Sequence, residues 1–217
     1  MHKLMDSLYD NIQDAKAFSL GFTNFAYMYD DLSIDDFETV ICETCKKAIQ
    51  TRDYLFPKSS CKKPVSILDT YQFGVSREVH DELISRFDIS EEDFRPIRNK
   101  CGEIVYYQIT PQHKMLPIHN ENNWLPKEKC PDCGGVQFEF YYFKNQKKEF
   151  YYHISQAALD DLHDLNVTYE GFRWYRPYYV ISRRVYDFLT ELYPRTHYYP
   201  LFLSNQEQHF RNTATSD

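Results

Sequence analysis

Apolar and polar positions alternate in several distinct rhythms along the chain. Leu8, Ile12 and Ala15 fall about one helical turn apart, and Phe18 follows three residues on. That spacing predicts a partly helical first forty residues. Residues 103–109, Glu-Ile-Val-Tyr-Tyr-Gln-Ile, are rich in β-branched and aromatic side chains and predict a strand. Residues 136–143 begin with strict alternation and then become wholly apolar. Lys144 to Lys148 make a polar turn, and residues 149–154 return as a second apolar run, which predicts a hairpin. Beyond Ser204 no apolar pattern remains, which predicts a frayed tail.

One pattern occurs twice. Val75-Ser76-Arg77-Glu78-Val79-His80-Asp81-Glu82-Leu83 matches Ile181-Ser182-Arg183-Arg184-Val185-Tyr186-Asp187-Phe188-Leu189. A fainter copy runs from Ile154-Ser155 to Leu162. In each, an apolar residue ends a strand, Ser caps a helix, and the helix buries one face. The two strong copies both reach a Pro among apolar residues, Phe94-Arg95-Pro96-Ile97 and Tyr199-Pro200-Leu201-Phe202. Structural duplication accounts for this, with chance similarity of cap signals as the alternative. The fold expected is α+β: two related strand–helix–strand units around a central β-hairpin, with a zinc-knuckle site like that of a zinc ribbon. Four segments follow. They are an N-terminal helical and acidic stretch (1–41), a knuckle region with the first unit inserted (42–135), the hairpin with the second unit (136–203), and a flexible tail (204–217).

Composition narrows the function classes. Of 217 residues 17% are aromatic, too many for a disordered chain. The formal charge of −7 argues against nucleic acid as the main partner and fits a cytosolic protein or one that meets a basic partner. No apolar run approaches the roughly 20 residues of a membrane span, and Met1 to Asp6 show no signal-peptide core, so a cytoplasmic location is expected. Two acidic groups stand out: Asp30, Asp31, Asp35 and Asp36, followed by Glu38, and Asp160, Asp161 and Asp164. Each reads either as a solvated face or as a contact patch for a basic partner.

The cysteines carry the sharpest chemistry. Four of the six form two pairs, Cys42-Glu-Thr-Cys45 and Cys130-Pro-Asp-Cys133-Gly-Gly. A two-residue gap lets two thiolates point into one tetrahedral site about 2.3 Å from zinc. Without a secretory signal, such pairs more often bind metal than form disulfides. Four thiolates close the coordination shell, so the zinc expected on Cys42, Cys45, Cys130 and Cys133 is structural. A redox pair or plain buried thiols are the alternatives. The 84 residues between Cys45 and Cys130 require a folded insertion whose ends meet at the metal. Cys61 and Cys101 have no partner at ligand spacing and read as buried or half-buried thiols.

With these motifs in place, the chain resembles the double-CxxCG motif proteins, first described as a myxobacterial paralogous family. The resemblance runs from about Cys42 to Leu203. It rests on the two Cys pairs, on Phe73-Gly74 before the first Ser-capped helix, on Phe172-Arg173, and on the strand, helix and Pro-containing end from Tyr178 to Leu203. Lys46 stands where the first motif has Gly, and the family's basic stretch before the second pair is replaced by His119 to Pro126. Members include immunity proteins against swarm-type polymorphic toxins. The resemblance therefore implies a non-enzymatic protein that binds and neutralises a cognate toxin.

Catalytic signatures are missing. No P-loop, dinucleotide fingerprint, Gly-x-Ser-x-Gly elbow or His-Glu-x-x-His occurs, and the eight His are scattered. Acidic patches would speed encounter with a basic toxin. Two other classes stay open. A zinc-ribbon nucleic-acid-binding or regulatory module would use Lys46-Lys47, Lys62-Lys63 and Lys144 to Lys148. An enzyme would use Cys61 or Cys101 as nucleophile.

Overall fold

The computed structural model describes residues 12–20, 40–44, 48–50, 64–69, 72–99, 101–116, 124–126, 130–132, 134, 138–140, 153–169, 178–193 and 198–203. They form an α+β structure with two principal sheets. The first has the order β4 (Val65–Asp69), β5 (Gln72–Val75), β7 (Ile104–Ile109), β6 (Phe94–Arg98), antiparallel throughout. The second has the order β10 (His153–Ile154), β13 (Tyr198–Leu203), β1 (Ala17–Leu20), β12 (Tyr179–Ser182), β11 (Leu165–Val167). Only its β10–β13 pair is parallel. Two short ribbons pair β2 (Val40–Ile41) with β3 (Ala48–Gln50), and β8 (Trp124–Pro126) with β9 (Phe138–Phe140). Three helices follow Ser caps: α1 (Arg77–Arg86), α2 (Gln156–Asp160) and α3 (Arg183–Leu192).

The caps are where the repeat pattern places them. Ser76, Ser155 and Ser182 are all extended, and each hydroxyl accepts the amide three residues on, from Val79, Ala158 and Val185. Replacing Ser182 or Ser76 with Ala is expected to lower stability by about 1 kcal/mol each in chemical denaturation.

Sheet alternation then sorts the side chains. In the second sheet Phe18, Ile181 and Phe202 face the main core, while Ala17, Val180 and Leu201 face a smaller cluster with Met115, Ile154 and Ala158 beneath α2. The main core also takes Phe73, Val75, Val79, Leu83, Phe94 and Ile109 from the first sheet and α1, and Val185, Tyr186, Phe188 and Leu189 from α3. One core therefore joins both sheets.

Two sequence expectations are corrected. Phe18 lies in a strand, and the only helical turn among the described residues before it is a 3₁₀ turn at Ile12–Asp14. β1 is the central strand and buried on both faces, so it lacks the alternation that marks a strand. The described ends of the expected hairpin pair elsewhere, β9 with β8 and His153–Ile154 with β13, while residues 141–152, with the expected turn, lie outside the described residues. The short apolar stretch Trp124-Leu125-Pro126 offers β9 an adjacent partner. The tail after Ser204 lies outside the described residues.

Candidate metal centre and acidic surface

The first Cys of each pair follows a short strand, Cys42 directly and Cys130 four residues after its end. β2 runs into Cys42 and a turn at Glu43-Thr44, and β3 returns. β8 precedes Cys130 and a turn at Pro131-Asp132, and β9 returns. Gly134 closes the second turn. Its amide donates to the Cys130 carbonyl at 2.9 Å with φ at +67°, a conformation that L side chains rarely adopt.

The fold brings the two turns together. Cys42 Sγ and Cys130 Sγ, both buried, stand 3.7 Å apart across 88 residues of sequence. A disulfide would need about 2.05 Å. Two sulfurs each about 2.3 Å from one tetrahedral zinc would be about 3.8 Å apart, so the spacing fits a shared metal. Beside them, Thr44 Oγ1 donates to the Asp132 carboxylate, tying one turn to the other. Cys45 and Cys133 lie outside the described residues. Among the described residues, no three His, Cys, Asp or Glu side chains converge on one point.

The acidic candidates divide. Asp30, Asp31, Asp35 and Asp36 lie outside the described residues. Asp160 is exposed, and its carboxylate accepts from Gln156 Nε2 at 2.7 Å. Asp161 is half-buried; it accepts the Leu116 amide at 2.9 Å and stands 3.4 Å from His113 Nε2. Asp164 is a correction, because it is an interior group and not a surface contact. It is 3% exposed. It accepts the Ser182 hydroxyl at 2.5 Å, Arg184 Nε at 2.6 Å with a second bond from Arg184 Nη2, and the Asp88 amide at 2.8 Å. Burial alone would raise its pKa. The bonds from Arg184, Ser182 and the Asp88 amide outweigh burial and hold the carboxyl below its usual value. The same contact raises the Arg184 pKa. The two arginines at the start of α3 do have carboxylate partners, since Arg183 pairs with Asp187 at 3.0 Å.

A second acidic group gathers around a buried imidazole. His80 Nδ1 meets Asp81 Oδ1 at 2.8 Å, and Nε2 meets Glu91 Oε2 at 3.2 Å. The His80 ring stacks on Tyr107 with 3.6 Å between centroids. His80 is thus a satisfied core residue, while the Asp81 and Glu91 carboxylates and nearby Glu92 face solvent. A helix periodicity alone could not bring residue 91 over residue 80. Cys101 is exposed in the Asn99–Glu103 turn, which corrects its reading as a buried or half-buried thiol. Cys61 and the Lys46-Lys47, Lys62-Lys63 and Lys144 to Lys148 groups lie outside the described residues. No helix among the described residues is long and apolar enough to cross a membrane.

Comparison with known protein families, with characterised proteins and with solved structures finds no match.

Proposed function

We propose that this chain is a non-enzymatic immunity protein that binds and neutralises a basic toxin, its knuckles fastened by a structural zinc on Cys42, Cys45, Cys130 and Cys133. The observation that carries the reading is the 3.7 Å approach of Cys42 to Cys130, which the double-CxxCG pattern requires of residues so far apart. Zinc supplies cross-linking here, with all four positions taken by thiolates and none open for substrate. The negative total charge and the outward carboxylates at Asp81, Glu91, Glu92 and Asp160 suit a basic partner. The N-terminal group, Asp30, Asp31, Asp35 and Asp36, belongs to the same proposed surface, and the protein acts in the cytoplasm.

The test is protection. The chain is expressed in a host together with the product of the adjacent gene, and survivors are counted. Specific rescue with a stable complex on a sizing column is expected. A neighbour that is harmless, or equally lethal in the presence of this chain, would remove the reading. Within such a complex, Asp160→Lys is expected to slow association severalfold at low salt and much less at high salt. An association rate unchanged at low salt would remove Asp160 from the contact surface.

A further inference from the structure

The two sheets are built on one plan. Sheet order β4-β5-β7-β6 repeats in β11-β12-β1-β13, with every pairing antiparallel in both. The registers coincide as well. β4–β5 pairs Val65 with Val75 and Ser66 with Gly74, and β11–β12 pairs Leu165 with Ile181 and Asn166 with Val180. β5–β7 pairs Val75 with Tyr107, as β12–β1 pairs Ile181 with Phe18. β6–β7 pairs Pro96 with Tyr107 and Phe94 with Ile109, as β13–β1 pairs Pro200 with Phe18 and Tyr198 with Leu20.

Side chains follow the same correspondence. His80 of α1 stacks on Tyr107 at 3.6 Å and meets the edge of Phe94 at 4.8 Å. Tyr186 of α3 stacks on Phe18 at 3.5 Å and meets the edge of Tyr198 at 5.1 Å. Arg77 donates to the carbonyl of Ile104, just before the matched strand positions begin, and Arg183 donates to that of Ala15.

Chain order turns this likeness into something more specific. β1 comes before the first Cys pair but lies in the sheet of the second half. β7 comes before the second Cys pair but lies in the sheet of the first half. Each half therefore reads strand, knuckle ribbon, strand, strand, helix, strand, with β10 and α2 added in the second. Each half gives its first strand to the centre of the other's sheet. Equivalent residues also touch each other: Cys42 with Cys130, Thr44 with Asp132, and Phe73 with Tyr179 at 5.8 Å. A residue meeting its own counterpart is what a twofold axis produces. Off the axis the contacts are reciprocal. Phe87 packs on Phe188 of α3, and its counterpart Tyr193 lies close enough to Glu78 and Glu82 of α1 to feel their charge.

We infer that this chain is a strand-exchanged twofold dimer fused into one polypeptide, residues 17–98 and 106–203, with its single metal held on the internal axis by one Cys pair from each half. The position of the metal rests on the four-thiolate reading above; the interlaced halves do not. Metal binding at this site clamps the two Cys-bearing ribbons to each other and leaves the two sheets to the core that joins them.

The test cuts the folded, full-length chain. A protease recognition sequence is inserted after Cys101, in an exposed turn where Gly102 has φ +83° and open space around it. After cleavage, the fragments are expected to co-elute at the uncut size and to carry one zinc per pair. Cys42→Ser in one fragment, or Cys130→Ser in the other, is expected to reduce zinc more than tenfold. Because either variant can misfold, a thiol-bridging reagent applied to the cut, chelator-treated wild-type sequence gives a second readout, a covalent link between the fragments. Fragments that separate without denaturant would overturn the interlaced dimer. Zinc retained in both serine variants, or bridging confined within each fragment, would overturn the axial site. Co-eluting fragments from a protein with no zinc would sink the metal reading and leave the exchanged halves standing.

Discussion

Cys130→Ser is expected to release the metal and to lower the unfolding free energy by about 3–5 kcal/mol, with Cys42→Ser close behind. A structural zinc site contributes about 10–16 kcal/mol of apparent binding energy in small zinc domains, most of it realised as folding energy. Here the cost is smaller, because one apolar core joins both sheets without help from the knuckles. What fails is the link between the β2–β3 and β8–β9 ribbons, whose Cys42 and Cys130 are both buried. A serine hydroxyl is a poor zinc ligand and leaves three thiolates crowded around an incomplete site. Cys101→Ser is the control. Cys101 is exposed, so its change is expected to stay within about 0.5 kcal/mol. Chemical denaturation with parallel zinc determination checks all three; equal stability of Cys130→Ser and Cys101→Ser would refute the assignment.

Asp164→Ala is expected to lower stability by about 2–4 kcal/mol. The substitution leaves the Ser182 hydroxyl, the Asp88 amide and the Arg184 guanidinium without their shared acceptor. The figure sits below the full range for a broken buried ion pair because Arg184 is 61% exposed and water can take over its solvation. Asp164 also imposes a pH dependence with a definite sign. Its folded-state pKa is depressed, so its stabilisation is fully present above the unfolded value of about 3.9 and is lost as pH falls below that through the folded value. Wild-type stability is therefore expected to drop more steeply below about pH 4 than that of Asp164→Asn. Parallel acid titration curves for the two proteins would show that Asp164 carries no such linkage.

The sequence was most legible where local chemistry and fold agree. Ser76 and Ser182 announce their helices because a cap uses only residues within one turn of itself, and the run at 104–109 announces a strand by its β-branched and aromatic residues, although the strands that flank it belong to the other half. The Cys pairs stand out in the sequence for the same reason, since two thiols within four residues suggest a knuckle without long-range information; of the four, Cys42 and Cys130 fall among the described residues. Long-range exchange was hidden. Phe18 looked helical because the central strand β1 is buried on both sides, and nothing in residues 17–20 reveals that strands 160 or more residues away flank it. Asp164 looked like surface because acids usually are. Its partner Arg184 lies 20 residues on, beyond the reach of local pattern. The acidic group over His80 was hidden because the chain turns back between α1 and Glu91.

X-ray absorption at the zinc edge, on protein purified without chelator, tests the central claim most directly. One zinc per chain with four sulfur neighbours at about 2.3 Å is the result this account requires, placing both Cys pairs on one metal across the internal axis. Protein without zinc, or zinc held by nitrogen and oxygen, would contradict it and leave the 3.7 Å approach of Cys42 and Cys130 as thiol packing alone.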